Sequence, residues 1–160
     1  MTSPDPDTLP IRLLVDADAC PVREECVKVA LRYGIKVTFV SNSFVRIEAD
    51  PLVEREIVPG NFDAADDRIV EHVTPRSVVV TADILLAERC LKANAAAVMS
   101  HTGKPFTHDS IGIAVATRSI MADLRAGGAQ MGGPAPFSRS DRSRFLSALD
   151  LAFVRLKRSS

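Results

Sequence analysis

The sequence predicts an α/β protein with three layers, in which helices cover both faces of a parallel sheet of about five strands. Short apolar runs, each long enough for one strand, alternate along the chain with longer segments of helical periodicity. The run at 77–80 is almost wholly β-branched, which is typical of a central parallel strand that is covered on both faces. With 160 residues, the chain is expected to form a single domain.

The first half of the chain begins with four apolar residues that lead into Asp16. A helix follows, because Pro21 suits a first helical turn and Gly34 stands just past the expected end. Turn-forming residues, SNS at 41–43 and PGN at 59–61, then separate the later elements. The predicted elements are a strand at about 11–16, a helix at 21–33, strands at 35–40 and 54–58, and a helix at 63–73.

The second half repeats the alternation and then becomes helical, with two helices at its end. The predicted elements are a strand at 77–80, a helix at 84–93, a strand at 95–99, a loop at 100–108, a helix at 109–126 and a last helix at 138–156. The glycine- and proline-rich segment 127–136 is predicted to be a hinge within one domain, since neither flank could hold its own core. Residues 1–10 are predicted to be a flexible lead-in and 157–160 a tail.

Composition excludes several classes of protein. The 20 basic and 20 acidic residues give a formal net charge of zero, so overall charge indicates no partner. No apolar run is long enough to cross a membrane and the first residues do not resemble a signal peptide, so a cytoplasmic protein is expected. Cys20, Cys26 and Cys90 lack a metal-binding spacing and are predicted to be reduced thiols.

Acidic residues stand at three corresponding places, each where the chain leaves the sheet toward a helix. Because the carboxyl ends of parallel strands share one edge, these carboxylates are expected to converge there. Mg²⁺ and Mn²⁺ prefer carboxylate oxygens, and such an ion can activate water and neutralise a phosphodiester. The predicted metal ligands are Asp16, Asp18, Asp63, Asp66 and Asp83, of which Asp16, Asp66 and Asp83 are the predicted catalytic residues.

Helix capping is the alternative interpretation of several of these acids. Asp63 suits an N-cap, with Asp66 completing a capping-box-like turn, and Asp18 and Asp83 suit the caps of the helices that follow them. Asp66 also lies on the apolar stripe of its helix, which faces the sheet, so its carboxylate is expected to need a partner. Asp16 is the strongest single candidate for a metal ligand.

Groups that contact substrate phosphates are predicted from residues in loops near this edge and late in the chain. Asn42 follows the second strand, Lys104 follows the fifth, and Arg142 lies near the start of the last helix. Further arginines, Arg118 and Arg125 among them, add positive charge in the last third of the chain. RNA is the predicted partner.

Four ordered motifs closely resemble the bacterial YaiI/YqxD family. They are VDADACPV at 15–22, the G-x-F-D-x-A-D segment at 60–66, TADILLA at 81–87, and the closing GGPAP followed by Asp141, Arg142 and Phe145. The resemblance extends from about residue 11 to 153. The family is grouped with the PIN-like domains, which are metal-dependent ribonucleases with a Rossmann-like parallel sheet and an acidic cleft.

The resemblance implies a role for individual residues. Asp16 resembles the first acid of the PIN site, Asp66 or Asp63 the second, and Asp83 the third. A fourth acid is expected just after the fifth strand, where this chain has Ser100 and His101, so Asp18 is the candidate to supply the missing charge.

Two other functions remain open from the sequence. VDAD at 15–18 also resembles the nucleophile motif of haloacid-dehalogenase-like phosphatases, in which Asp16 would be the nucleophile and Asp18 the general acid. A non-catalytic module that binds RNA or nucleotides would keep the acidic cleft as a remnant.

Overall fold

Six strands form one sheet in the computed structural model, which describes residues 8–128 and 136–159. The order across the sheet is β3-β2-β1-β4-β5-β6. The first five strands are parallel, and β6 pairs antiparallel with β5. The strands are β1 (Arg12–Asp16), β2 (Lys36–Ser41), β3 (Val53–Ile57), β4 (Ser77–Val80), β5 (Ala97–Met99) and β6 (Pro105–Phe106).

Five helices cover the sheet, and the predicted three-layer α/β/α class is confirmed. They are α1 (Arg23–Arg32), α2 (Phe62–His72), α3 (Ile84–Lys92), α4 (His108–Ala126) and α5 (Arg139–Arg158). Helices α1 and α5 pack together on one face of the sheet, α2 and α3 pack together on the other, and α4 packs beside α3.

The alternation of side chains along β1 explains why both faces have a core. Leu13 and Val15 point to the layer of α1 and α5, where they join a buried cluster that includes Phe145 and Phe153. Leu14 points the other way, into a cluster with Ile69 of α2 and with residues of α3. Strands in the sheet interior are therefore buried on both faces, as is predicted for the run at 77–80.

Most element boundaries shift by one or two residues from the sequence prediction, and three differences have a clear cause. The predicted loop 100–108 contains β6, whose two residues are too few to produce a periodic pattern. Helix α1 begins at Arg23 instead of Pro21, because residues 21–22 form a turn that precedes it. Helix α5 continues through Arg158, so residues 157 and 158 of the predicted tail belong to the helix.

The predicted lead-in 1–10 and the predicted hinge 127–136 lie partly outside the described residues. Where the lead-in is described, it is tied to the body, because the carbonyl of Leu9 accepts a hydrogen bond from Nε of Arg76 at 3.1 Å. Residues 1–7, 129–135 and 160 are not described.

Candidate functional site

The sheet contains a topological switch point at the carboxyl ends of β1 and β4. Strand β1 pairs with β2 on one side and with β4 on the other, so successive connections leave this point in opposite directions. Such a divergence leaves a crevice at the carboxyl edge, where open α/β sheets bind their ligands. Asp16 is the last residue of β1, and Thr81 directly follows β4.

Asp16 is the acid most deeply embedded in this crevice. It lies two residues beyond Leu14 on the same side of the strand, and therefore faces the layer of α2 and α3. The buried hydroxyl of Thr81 donates a hydrogen bond of 2.9 Å to Oδ2 of Asp16. Burial raises the pKa of Asp16 to about 6, the hydrogen bond from Thr81 opposes this shift, and the charges of Asp18 and Asp83 add to it.

Asp66 approaches the same crevice from α2. Its neighbours Ala65 and Ile69 are buried against the sheet, which brings the half-buried Asp66 toward the strands. Burial raises the pKa of Asp66 to about 6, and the charges of Asp16 and Asp83 raise it further, against a lowering by Arg89. Asp16, Asp66 and Asp83 therefore lie near enough to one another for the charges of neighbouring acids to raise the pKa of Asp16 and of Asp66.

Asp83 is both a member of this site and a helix cap. Its Oδ1 accepts hydrogen bonds from the backbone N–H groups of Leu85 at 2.9 Å and Leu86 at 3.3 Å, so the capping interpretation is correct for this residue. The backbone N–H of Asp83 in turn donates to Oγ1 of Thr81 at 3.0 Å. Thr81 therefore connects Asp16 to Asp83.

The other predicted caps are wrong. Asn61, and not Asp63, is the N-cap of α2, because its side chain accepts from the N–H of Ala64 at 3.1 Å. Asp63 is exposed in the first turn of the helix, where the helix dipole favours an acid. Asp18 does not cap α1, whose N-cap is Val22 without a side-chain hydrogen bond.

Asp18 instead joins the loops that follow β1 and β2. Its Oδ2 accepts a hydrogen bond of 2.8 Å from the backbone N–H of Asn42. The next residue, Ala19, adopts a left-handed backbone with φ of 55°, which turns the chain sharply before α1. Asp18 is thus held beside Asp16, and its charge is one cause of the raised pKa of Asp16.

The three predicted phosphate-binding residues lie in different surroundings. Asn42 adjoins Asp18, and its buried Oδ1 has no hydrogen-bond partner among residues 8–128 and 136–159. Lys104 is exposed in the turn between β5 and β6 at the same edge of the sheet, where its carbonyl accepts from the N–H of Ser100 at 2.9 Å. Their contacts with a substrate stay a prediction.

Arg142 already has protein partners. Its guanidinium pairs with Glu25, donates to the carbonyl of Pro21 at 3.3 Å and lies 5.0 Å from the ring centroid of Phe137. These contacts fasten α5 to the start of α1, in the layer opposite the one that Asp16 faces. The structure therefore does not bring Arg142 together with the acids.

The position at which the PIN-like resemblance expects a fourth acid is part of a tight turn. The Ser100 hydroxyl lies 2.9 Å from that of Thr102 and accepts from the N–H of Lys104 at 3.2 Å. Burial lowers the pKa of His101, which favours its neutral form. Neither residue adds negative charge to the crevice at neutral pH.

The acids form an open cluster. Within the described ranges, no three His, Cys, Asp or Glu side chains converge closely enough to form a complete metal site. The five predicted ligands are therefore not gathered around one point, and Asp67 is engaged elsewhere in an exposed ion pair of 2.8 Å with Arg89. Thr81 is the site residue that sequence reasoning missed, although a polar residue after a fully apolar strand is a recognisable signal.

The cysteines do not act as nucleophiles at this site. All three are buried free thiols, as the sequence predicts. Burial raises the pKa of Cys20 to about 11 and that of Cys90 to about 12, and it also raises the pKa of Cys26. Thiols with such values stay protonated at neutral pH and are inert.

Comparison with known proteins identifies a family. The family described as "Uncharacterized BCR, YaiI/YqxD family" matches residues 14–155, which span β1 to the last turns of α5. This chain belongs to the YaiI/YqxD family. That assignment confirms the resemblance drawn from the four motifs.

Relatives align with the YaiI/YqxD chain over nearly its full length. A "UPF0178 protein" of Sphingopyxis alaskensis is 62% identical over 147 residues, covering 91% of this chain and 95% of the relative. Another, of Rhodopseudomonas palustris strain BisB18, is 50% identical over 151 residues and covers 94% and 97%. No solved structure matches the chain. In the part of the chain that the structure describes, no helix is long and apolar enough to cross a membrane.

Proposed function

We propose that this YaiI/YqxD protein is a Mg²⁺- or Mn²⁺-dependent nuclease that hydrolyses phosphodiester bonds of RNA. The observation that carries the proposal is the state of Asp16, which is embedded at the switch point with a pKa raised to about 6 by burial and by two further acids. Among the described residues, the only hydrogen-bond partner of its carboxylate is the neutral hydroxyl of Thr81. A carboxylate held in this way favours a cation as its missing partner.

The donor set fits a hard divalent cation. Asp16 would bind it directly, Asp66 and Asp83 would act on it through waters that the ion keeps, and Asp18 and Asp63 would be flanking negative charges. An open cluster suits Mg²⁺ well, because this ion usually takes one or two protein carboxylates and keeps several waters. When bound, the ion would neutralise the phosphodiester and lower the pKa of water. The charge of Asp18 raises the pKa of Asp16, and in this proposal Asp18 supplies the charge of the acid missing at Ser100.

The remaining residues of the crevice act as positioning groups. The hydroxyl of Thr81 fixes the side chain of Asp16, and the backbone bond between Asn42 and Asp18 fixes the two loops that border it. Lys104 lies in the turn at the same edge, where it is free to approach a substrate phosphate. The resemblance to PIN-like ribonucleases agrees with this arrangement of an acidic crevice bordered by a cation.

The test is cleavage of a fluorescently labelled RNA at increasing concentrations of Mg²⁺ and Mn²⁺. We expect metal-dependent turnover, and we expect Asp16→Asn to lower kcat/KM by at least about 100-fold, because the strongest ligand candidate is lost. Asp67→Asn is the matched control, because it also replaces one aspartate by asparagine and so removes the same charge. It removes one acid of α2 whose carboxylate pairs with Arg89 at the surface, and should change kcat/KM less than about 2-fold.

Each other result identifies a different function. Turnover that survives in Asp16→Asn contradicts the proposed role of Asp16. A phospho-aspartate trapped at Asp16 would indicate the haloacid-dehalogenase-like phosphatase instead. RNA binding without any product at any metal concentration would indicate the non-catalytic module.

A further inference from the structure

A groove of about 500 Å³ lies beside the acidic crevice, between the start of α3, the short strand β6 and helix α4. Its wall on the α3 side begins at Ile84, the residue that follows Asp83. No acidic residue lines it. The proposed active site and this groove are therefore adjacent but differ in the sign of their charge.

Three cations line the groove, namely Lys104, Arg118 and Arg125. Among the described residues, none of their side chains forms an ion pair or hydrogen bond, and all three are exposed. Several other arginines on the surface do have carboxylate partners, as Arg68 and Arg89 do. Three unpaired cations around one groove repel each other, so an anionic ligand is favoured there.

The direction of α4 explains why these cations stand near the acids. Strand β6 runs antiparallel to its parallel neighbours, so α4 begins at the amino edge of the sheet and returns toward the carboxyl edge. It has 19 residues and α3 has 9, so it exceeds α3 by about 15 Å. Its second half, residues 116–126, is exposed except for Met121, which lies in the groove.

The floor of the groove is apolar. Phe106, Ile113 and Met121 line it, and Ile113 is 73% exposed. An apolar floor with a rim of cations fits a ligand that has flat apolar surfaces and regularly spaced negative charges. A nucleic-acid strand has both, and its base faces are accessible only when the strand is single.

We propose that this groove binds the nucleotides next to the scissile phosphodiester of a single-stranded nucleic acid. The bases contact Phe106 and Met121, and the phosphates contact Lys104, Arg118 and Arg125. This inference rests on the proposed nuclease function, whose acids at Asp16 and Asp83 mark where the strand is cut. The bound strand then runs from the acidic crevice along α4.

The test measures binding of a fluorescent oligouridine RNA of about eight nucleotides by anisotropy, with EDTA present so that no cleavage occurs. We expect the double variant Arg118→Glu/Arg125→Glu to weaken binding by at least about 10-fold and to reduce the salt dependence of log Kd by about 0.7 for each cation lost. The matched control, Arg139→Glu/Arg158→Glu, changes net charge equally at two exposed residues of α5 and should change Kd less than about 2-fold. Equal losses in both variants, or no binding by the unaltered protein, would overturn the inference.

Two further measurements test whether the groove contacts the bases of the strand. Met121→Ala removes part of the floor from a half-buried position on α4 and should weaken binding by about 3-fold to 10-fold. Thermal unfolding of each variant checks that it is folded. A single-stranded DNA of matching sequence should bind as well as RNA, because the groove contacts only bases and phosphates, whereas tighter binding of a duplex overturns the proposal.

Cleavage and binding separate this inference from the nuclease proposal. If the unaltered protein binds RNA through the groove but no metal gives turnover, the nuclease proposal fails and the proposal of nucleic-acid binding in the groove is supported. If the protein cleaves RNA and the Arg118→Glu/Arg125→Glu variant keeps the same KM, the groove fails and the nuclease stands.

Discussion

Helix α2 contributes to two acidic regions in which the pKa values of the carboxyl groups shift in opposite directions. At the carboxyl edge of the sheet, Asp16 and Asp66 lie among other acids, and burial and mutual repulsion raise the pKa of each to about 6. On the outer side of β3, Glu56 binds Arg68 at 2.9 Å and His72 at 2.9 Å. Burial would raise the pKa of Glu56, but its hydrogen bonds with Arg68 and His72, together with their charges, lower it below its ordinary value.

The difference separates a carboxylate that serves the fold from one that is kept for a ligand. Glu56 has a cation, Arg68, within the protein, so its charge is compensated when the chain folds. Asp16 and Asp66 have acids as neighbours, so the folded protein carries an uncompensated charge at the switch point. Such a cost is common at functional sites, where stability is lower than the sequence could otherwise achieve.

Metal binding gives the largest expected difference between the two regions. We expect Mn²⁺ at about 100 times its Kd to stabilise the unaltered protein by about 2.7 kcal/mol, since the ion binds only the folded state. Asp16→Asn should abolish this gain and Glu56→Gln should keep it. Thermal unfolding with and without Mn²⁺ measures the effect, and an equal gain in all three proteins would remove Asp16 from the metal site.

Without metal, Asp16→Asn and Glu56→Gln should change the free energy of unfolding in opposite directions. The ordinary pKa of an aspartate side chain is 3.8, and the pKa of Asp16 in the folded protein is about 6. The folded state therefore binds more protons than the unfolded state between these values, and stability falls as the pH rises from about 4 to about 6. At neutral pH, Asp16→Asn should raise the free energy of unfolding by about 1 to 3 kcal/mol, because the ionised form is no longer buried.

Glu56→Gln provides the comparison for that measurement. Its lowered pKa means that Glu56 stabilises the fold above its ordinary pKa and loses this contribution as the pH falls through the folded value. Since Arg68 is well exposed, the substitution should cost less than about 1 kcal/mol at neutral pH. Urea unfolding in EDTA, at neutral pH and near pH 4, gives both numbers, and a shift of the same sign in both variants would contradict the contrast.

Thr81 provides the smallest and most specific test. Thr81→Val keeps the shape of the side chain but removes the hydrogen bond that lowers the pKa of Asp16. We expect the pH at which Mn²⁺ stabilisation is half lost to rise by up to about 1 unit, in line with the energy of one such bond. Thr81→Ser keeps the hydroxyl and should leave the midpoint unchanged, so an identical shift in both variants would argue for a packing effect.

Some elements of the site follow from the sequence because their signals are local. Asp16 ends an uninterrupted apolar run, so its place at the end of a buried strand requires no knowledge of any other part of the chain. The stripe of α2 likewise predicts that Asp66 lies on the sheet side of its helix, and Asp83 suits a cap because it directly precedes a helical pattern. Periodicity and capping depend on neighbours within one or two turns.

Other features escaped prediction because their partners are distant in sequence. Asn61 rather than Asp63 caps α2, since both residue types suit an N-cap and only the backbone geometry decides between them. Arg142 pairs with Glu25, which lies 117 positions away, and so the arginine belongs to the packing of α5 on α1. Strand β6 has two residues, which is too short for any pattern.

The sequence by itself determined the α/β class, the family and the edge of the sheet at which the acids lie. Local patterns are sufficient for these, because strand, helix and cap preferences act over short stretches of chain. Only the tertiary structure decided which acids lack a cation, that Thr81 links Asp16 to Asp83, and that α4 carries unpaired arginines past the edge of the sheet. The reason is physical: the ionisation of a carboxyl group depends on burial and on charges brought near by folding, and neither is written in the adjacent residues.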